Sequence, residues 1–388
     1  MRVFAFLTLF GALLMSLSAR AQCLDMANYG AIGDGMHPND AAFNSAWAAL
    51  PSSGGCLSFP SGKFLFNSAI IETLPATRAA IGIYGAGANL TMLYWPAPGG
   101  MALTFTSQLN SVHFHDFSVT TGTSGTGTAI SLTQTGGSPG PGSPWSEFSN
   151  ITVRGDDGGG MTDVWAVGVR VHAVSSINFY NTNIFGSSAG AGIGLILEGD
   201  VPSAKYGVLY NITSSSFNFL NPGILYGSYV QGVTVNQSNF NGGVGGPGIQ
   251  TFSGESGTLS QLAVSNSQFN TGASQISLST AVDSVLLSNN VITVNSSGNI
   301  GVYLQASFGF EITGNYFNIA GSPTATYGVV VGPPGFGVIT GNSFQNVALG
   351  VNLLSGSSGI TVMGNSYGSG VVKYVNNGSS PAPGTPTP

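Results

Sequence analysis

From residue 209 onward the chain repeats itself. Seven segments share the pattern apolar-x-apolar-x-x-(Asn or Ser)-x-(aromatic or Ile): 209–217, 233–240, 262–269, 285–292, 310–317, 337–344 and 360–367. Tyr210 fills the leading apolar position of the first, and Gly337 replaces an apolar residue in the sixth. The closing positions lie 23 to 29 residues apart, and looser copies precede them at 112–119, 148–153 and 177–185. Such a period is too short for a propeller blade of four strands, and the leucines are too sparse for leucine-rich repeats. Helical repeats would show a 3.6-residue period and far less Gly, Asn and Ser. Each period holds two or three short strands broken by Gly or Asn turns. One period is therefore read as one coil of an all-β parallel β-helix, with coils stacked about 4.8 Å apart. Roughly eleven coils would give a rod on the order of 50 Å long.

Stacking assigns the most conspicuous residues to the fold. Asn290, Asn315, Asn342 and Asn365 occupy one position of successive coils, and Ser215, Ser238 and Ser267 continue the row. An inward Asn in a tight turn can satisfy its amide against the coils above and below. Phe217, Phe240, Phe269, Phe317, Phe344 and Tyr367 should form an internal file of rings beside it.

Charge is scarce: 8 Lys and Arg against 14 Asp and Glu among 388 residues. No basic patch exists to release counterions from phosphate, so nucleic acid is excluded as a partner. Residues 1–21 read as a signal peptide, with Arg2, an apolar stretch and a small-x-small site at Ala19-Arg20-Ala21. No later segment is apolar enough to span a bilayer, so a secreted location, extracellular or periplasmic, is expected. Cys23 and Cys56 either pair or stay as two buried thiols. Residues 22–376 are read as one β-helix domain, with 22–67 as cap and first coil, and 377–388 as a disordered Pro/Thr/Gly tail. A solenoid needs its open end covered. Residues 39–50 form a short amphipathic helix whose face carries Phe43, Ala46, Trp47 and Leu50, with Asn39 or Asp40 as N-cap.

The opening residues also resemble a known family. Tyr29-Gly-Ala-Ile-Gly-Asp-Gly35, Asn39-Asp-Ala-Ala-Phe43 and Gly54-Gly-Cys-Leu-Ser-Phe-Pro-Ser-Gly62 look like the start of the pectate-lyase-3 group of the pectate-lyase superfamily. That group includes rhamnogalacturonase-type, epimerase-like and tailspike-like proteins. The resemblance implies a single-stranded right-handed parallel β-helix and a polysaccharide partner, as a monomer or a homotrimer. It does not fix a reaction, because one fold hosts lyases, hydrolases, epimerases and binders. Asp34 and Asp40 are read as turn and capping residues.

Ionisable groups point to where chemistry sits. Between residues 79 and 388 there are fourteen charged side chains, and ten of them fall between 113 and 205, with His113, His115 and His172. Strand alternation turns His113 and His115 outward, and likewise Arg170 and His172. One groove on the first half of the rod is therefore expected, with the loop 154–160 as a wall. Asp156, Asp157, Asp163, Arg170 and His172 are the catalytic candidates, and His113, His115, Arg154, Glu198, Asp200 and Lys205 would bind substrate. Hydrolysis would use two of the carboxyls. β-Elimination on an acidic, pectin-like glycan would need a cation such as Arg154, Arg170 or Lys205 and a base such as His172. Asp156 and Asp157 equally suit the shaping of a Gly-rich turn. No cofactor is specified; Ca²⁺ held by the Asp cluster is open but has no motif. The His113-x-His115 pair lacks an evident third ligand, so no metal site is read. The competing function is a non-catalytic adhesin or carbohydrate-binding surface, with Trp145 and Trp165 among the rings that would stack on sugars.

Overall fold

The computed structural model describes residues 23–376, apart from 159–161, 243–244, 253–258, 296, 306 and 321–325. The signal peptide and the C-terminal tail expected from sequence lie outside the described residues.

The chain winds as a right-handed parallel β-helix. Every strand pairing between coils is parallel, and each coil contributes up to three short strands. The first and second faces belong to one 24-stranded sheet, and the third face is a 12-stranded sheet with one strand per coil. Twelve coils thus replace the eleven expected. A left-handed residue makes the bend between the first and second faces, once per coil. Asp116, Asn150 and Asn181 do so early, Asn266 and Asn289 later, and Gly314, Gly341 and Gly364 near the end. Asn and Gly tolerate positive φ, which explains why they recur just before the inward ladder residue.

That ladder is continuous. Asn290 Nδ2 donates to Asn315 Oδ1 at 2.9 Å, Asn315 to Asn342 at 3.0 Å, and Asn342 to Asn365 at 3.0 Å. Backbone amides of Ser215, Ser238 and Ser267 donate to the side-chain oxygen one coil on, at 3.0–3.2 Å. The ring file runs alongside, with Phe217–Phe240 centroids 4.9 Å apart and Phe240–Phe269 4.5 Å apart. It continues through Ile292 to Phe317, Phe344 and Tyr367. Upstream the register places Ile184, not Phe185, in this file, because Ile184 pairs with Phe217 while Phe185 turns outward.

The N-terminal helix spans Asp40–Ala49 and buries Ala42, Phe43, Ala46 and Trp47. Leu50, just after it, is buried as well. Asn39 sits at the N-cap position, yet its side chain makes no capping bond. Its fully buried amide instead accepts from Ile32 N at 2.7 Å and donates to the carbonyls of Ile32, His37 and Leu65. Asp40 accepts from the backbone of Asn67 and Ser68, tying the helix to the first coil. Asp34 accepts from Met36 N and His37 N, and these bonds, with the His37 ring, lower its pKa to about 2. Cys23 and Cys56 are joined in a disulfide.

Candidate functional site

Alternation predicts which side chains point outward, but a three-faced coil has three outsides. The expected single groove is accordingly divided. His113, His115 and Glu147 lie on the first face, Arg154 on the second, and Arg170, His172 and Glu198 on the third. Sequence periodicity gives the alternation within a strand and not the face that the strand occupies.

On the third face, Arg170 Nε donates to Glu198 Oε1 at 2.6 Å, and His172 Nδ1 lies 3.2 Å from the same oxygen. Burial raises the Glu198 carboxyl, but the bonds from His172 and Arg170 and their charge hold it below its ordinary value. Asp200 and Lys205 close a short turn beyond this strand through two backbone hydrogen bonds.

On the second face, Arg154, Asp157 and Asp163 line a cleft of about 270 Å³ with Asn89, Thr152 and Asn183. Gly155 makes it: a Cβ there would sit 2.0 Å from Asp163 O, so only glycine lets the returning loop pack so closely. Asp157 accepts from Thr162 N, Thr162 Oγ1 and Asp163 N, which is the turn-shaping role. Asp156 is paired with Lys63 at 2.7 Å. The Asp163 carboxyl is raised by burial and then by the negative Asp157 and Asp156. Arg154 makes no ion pair among the described residues; its Nη2 rests 3.9 Å from Met92 Sδ, and its Nε is buried without a partner.

The first face carries an open groove of about 700 Å³. It is lined by Glu147, Asn178, Tyr180, Asn211, Thr213, Thr234, Asn236, Ser265 and Asn266. These residues stand in register, Glu147 beside Asn178, then Asn211, then Thr234, with Tyr180, Thr213 and Asn236 as the parallel row. Five coils take part, about 19 Å along the rod at 4.8 Å each. The amides brace one another: Asn211 Nδ2 donates to Asn178 Oδ1 at 2.9 Å, and Asn266 Nδ2 to Asn236 Oδ1 at 3.0 Å. Each Asn retains further donor and acceptor capacity toward the groove. Tyr180 is half exposed. At the N-terminal end, His115 Nε2 lies 3.6 Å from Glu147 Oε2, and the Tyr84 ring stacks on His115 at 5.0 Å. Burial lowers the His113 pKa, helped by His115 and opposed by Glu147. The row Asn178 to Asn266 was missed from sequence, because uncharged amides on an Asn-rich chain carry no distinguishing signal. Of the two tryptophans expected to meet sugars, Trp145 is exposed, whereas Trp165 is buried against Trp95 in the core.

Comparison with solved structures identifies the class: right-handed parallel β-helix proteins. The A-module of mannuronan C-5 epimerase AlgE6 from Azotobacter vinelandii is 17% identical with a TM-score of 0.58, covering 92% of this chain and all of that one. PfbA, a surface adhesin of Streptococcus pneumoniae, is 13% identical with a TM-score of 0.57, covering 90% and 91%. Tailspike protein 3 of bacteriophage CBA120 is 14% identical with a TM-score of 0.57, covering 94% and 62%. Residues 203–381 match the family model described as periplasmic copper-binding protein (NosD). No curated protein matches the chain. No helix among the described residues is long and apolar enough to cross a membrane.

Proposed function

We propose that this protein is exported and holds an extended polysaccharide along the groove of its first face. The observation that carries this reading is the groove itself. Five coils present a braced row of amides and hydroxyls, matched to sugar hydroxyls, beside an exposed tyrosine ring suited to stacking on a sugar face. Glu147 is the one carboxyl among its lining residues, which include no Lys, Arg or His to hold an acidic sugar, and this favours a neutral chain over an acidic one. The disulfide supports an oxidising location. The fold neighbours, an epimerase, an adhesin and a tailspike, and the cap built by the pectate-lyase-3-like opening residues support a polysaccharide partner. Copper binding of the NosD kind does not fit the matched segment: residues 203–381 contain no His and no Cys, and Met363 is their single Met.

Affinity electrophoresis over a panel of neutral and acidic polysaccharides tests the groove. Retardation by at least one neutral polymer is expected, together with about a tenfold weaker affinity for the double variant Asn211→Ala/Asn236→Ala, a loss of about 1.4 kcal/mol. Equal retardation of variant and wild type would reject the groove as the site.

A catalytic reading rests on the second-face cleft. Arg154 there has no carboxylate partner among the described residues, and burial, with the negative Asp157 and Asp156, raises the Asp163 carboxyl. An unpaired guanidinium can neutralise a uronate carboxylate, and a raised carboxyl can donate a proton to a leaving oxygen. Absorbance near the unsaturated-uronate band, measured with reducing-sugar release, decides this. Elimination raises both signals, hydrolysis raises only the second, and Arg154→Ala should abolish whichever appears.

A further inference from the structure

The geometry points to a divalent transition-metal site, of the Zn²⁺ type, formed by His113, His115 and Glu147. Two imidazoles and one carboxylate offer ligand atoms that all lie within 4.8 Å of one another. Bonds of about 2.0–2.2 Å place two ligands of one ion no more than about 4.3 Å apart. The His115–Glu147 separation of 3.6 Å already falls inside that limit, and small side-chain rotations bring in His113. The backbone sets the arrangement. His113 and His115 share one face of a single strand, and Glu147 is the registered partner of His113 on the next coil. The Tyr84 ring lies flat on His115, and His113 and His115 are nearly parallel, with 11° between their planes. Gly82 makes room for that tyrosine, since a Cβ there would come within 2.3 Å of its ring.

The donor set selects the ion. Imidazole favours zinc and its first-row neighbours, whereas Ca²⁺ and Mg²⁺ demand oxygen ligands throughout. Three protein ligands leave a fourth position open, the pattern of a catalytic or ligand-binding zinc and not of a closed structural one. Glu147 also lines the groove, so the site sits at the groove's N-terminal end. The site lies outside residues 203–381 and owes nothing to the family match there.

The test uses the full chain, stripped with EDTA, dialysed, and titrated with ZnCl₂ by calorimetry without any glycan. One equivalent binding at micromolar or tighter affinity is expected. His115→Ala and Glu147→Gln should each weaken it about tenfold or more. His37→Ala, at the exposed N-terminal turn, should leave it unchanged. No binding, or equal binding by the two ligand variants, overturns the site. Should a variant misfold, proton NMR of the wild-type imidazoles gives the same answer, because the chain has four histidines. Zn²⁺ should shift the ring signals of His113 and His115 alone. A shift at His37 or His172, or none at all, contradicts the assignment.

Discussion

The two halves of the rod share one backbone plan and differ in what they carry. From Ser215 to Tyr367 the coils repeat almost without variation, with an Asn or Ser ladder, a ring file, and outer faces nearly free of charge. From Ser111 to Lys205 the same coils carry longer strands, two charged clusters and the turn that seats Asp163. Regularity serves stacking, since each coil is a template for the next. Departures from it concentrate the ionisable groups, and the groove runs from the irregular half into the regular one.

If the second half is scaffold, its ladder and file residues should dominate stability. Phe269 is fully buried, stacked on the Phe240 ring on one side and registered with Ile292 on the other, and Phe269→Ala should cost about 3–5 kcal/mol, read as a lower denaturation midpoint. A loss below about 1 kcal/mol would mean that the file is not the backbone of the fold. The first half has its own staple: Cys23–Cys56 pins the chain start beneath the first coils. Its removal in Cys23→Ser/Cys56→Ser should cost about 2–4 kcal/mol. Glu198→Gln probes the irregular half more gently. The folded carboxyl titrates below its ordinary value of 4.5, so its stabilisation is present above that pH and is lost as pH falls through the lower folded value. The variant should lose on the order of 1 kcal/mol at neutral pH, small because Arg170 is half exposed, and nothing once Glu198 is protonated. A penalty that persists in acid would mean that packing, and not charge, supplies the effect.

Much of this architecture was legible in the sequence, and the reasons are local. Asn315 and Phe317 recur at one spacing because stacking demands identical neighbours, so the ladder and file could be read directly. The candidate sites were less legible. His113 and Arg170 both point outward, yet they occupy different faces, and only the positions of the bends distinguish those faces. Glu147 follows His113 by 34 residues, a longer interval than the regular repeat, because the third-face strand Ser124–Gln134 is 11 residues long and an extended loop follows it. That insertion hid the third member of the His113 cluster. Trp165 was misplaced because its strand alternates irregularly at its start, where the register with the preceding coil shifts. The groove amides carried no signal in a chain so rich in Asn.

The most direct test of the groove compares two exposed tyrosines, one inside it and one outside it. Tyr180 stands in the groove, and Tyr316 stands on the outer surface of the regular half. Affinity for a retained polysaccharide should fall about tenfold in Tyr180→Ala and stay at the wild-type value in Tyr316→Ala. Loss of affinity in Tyr316→Ala with none in Tyr180→Ala would contradict the account.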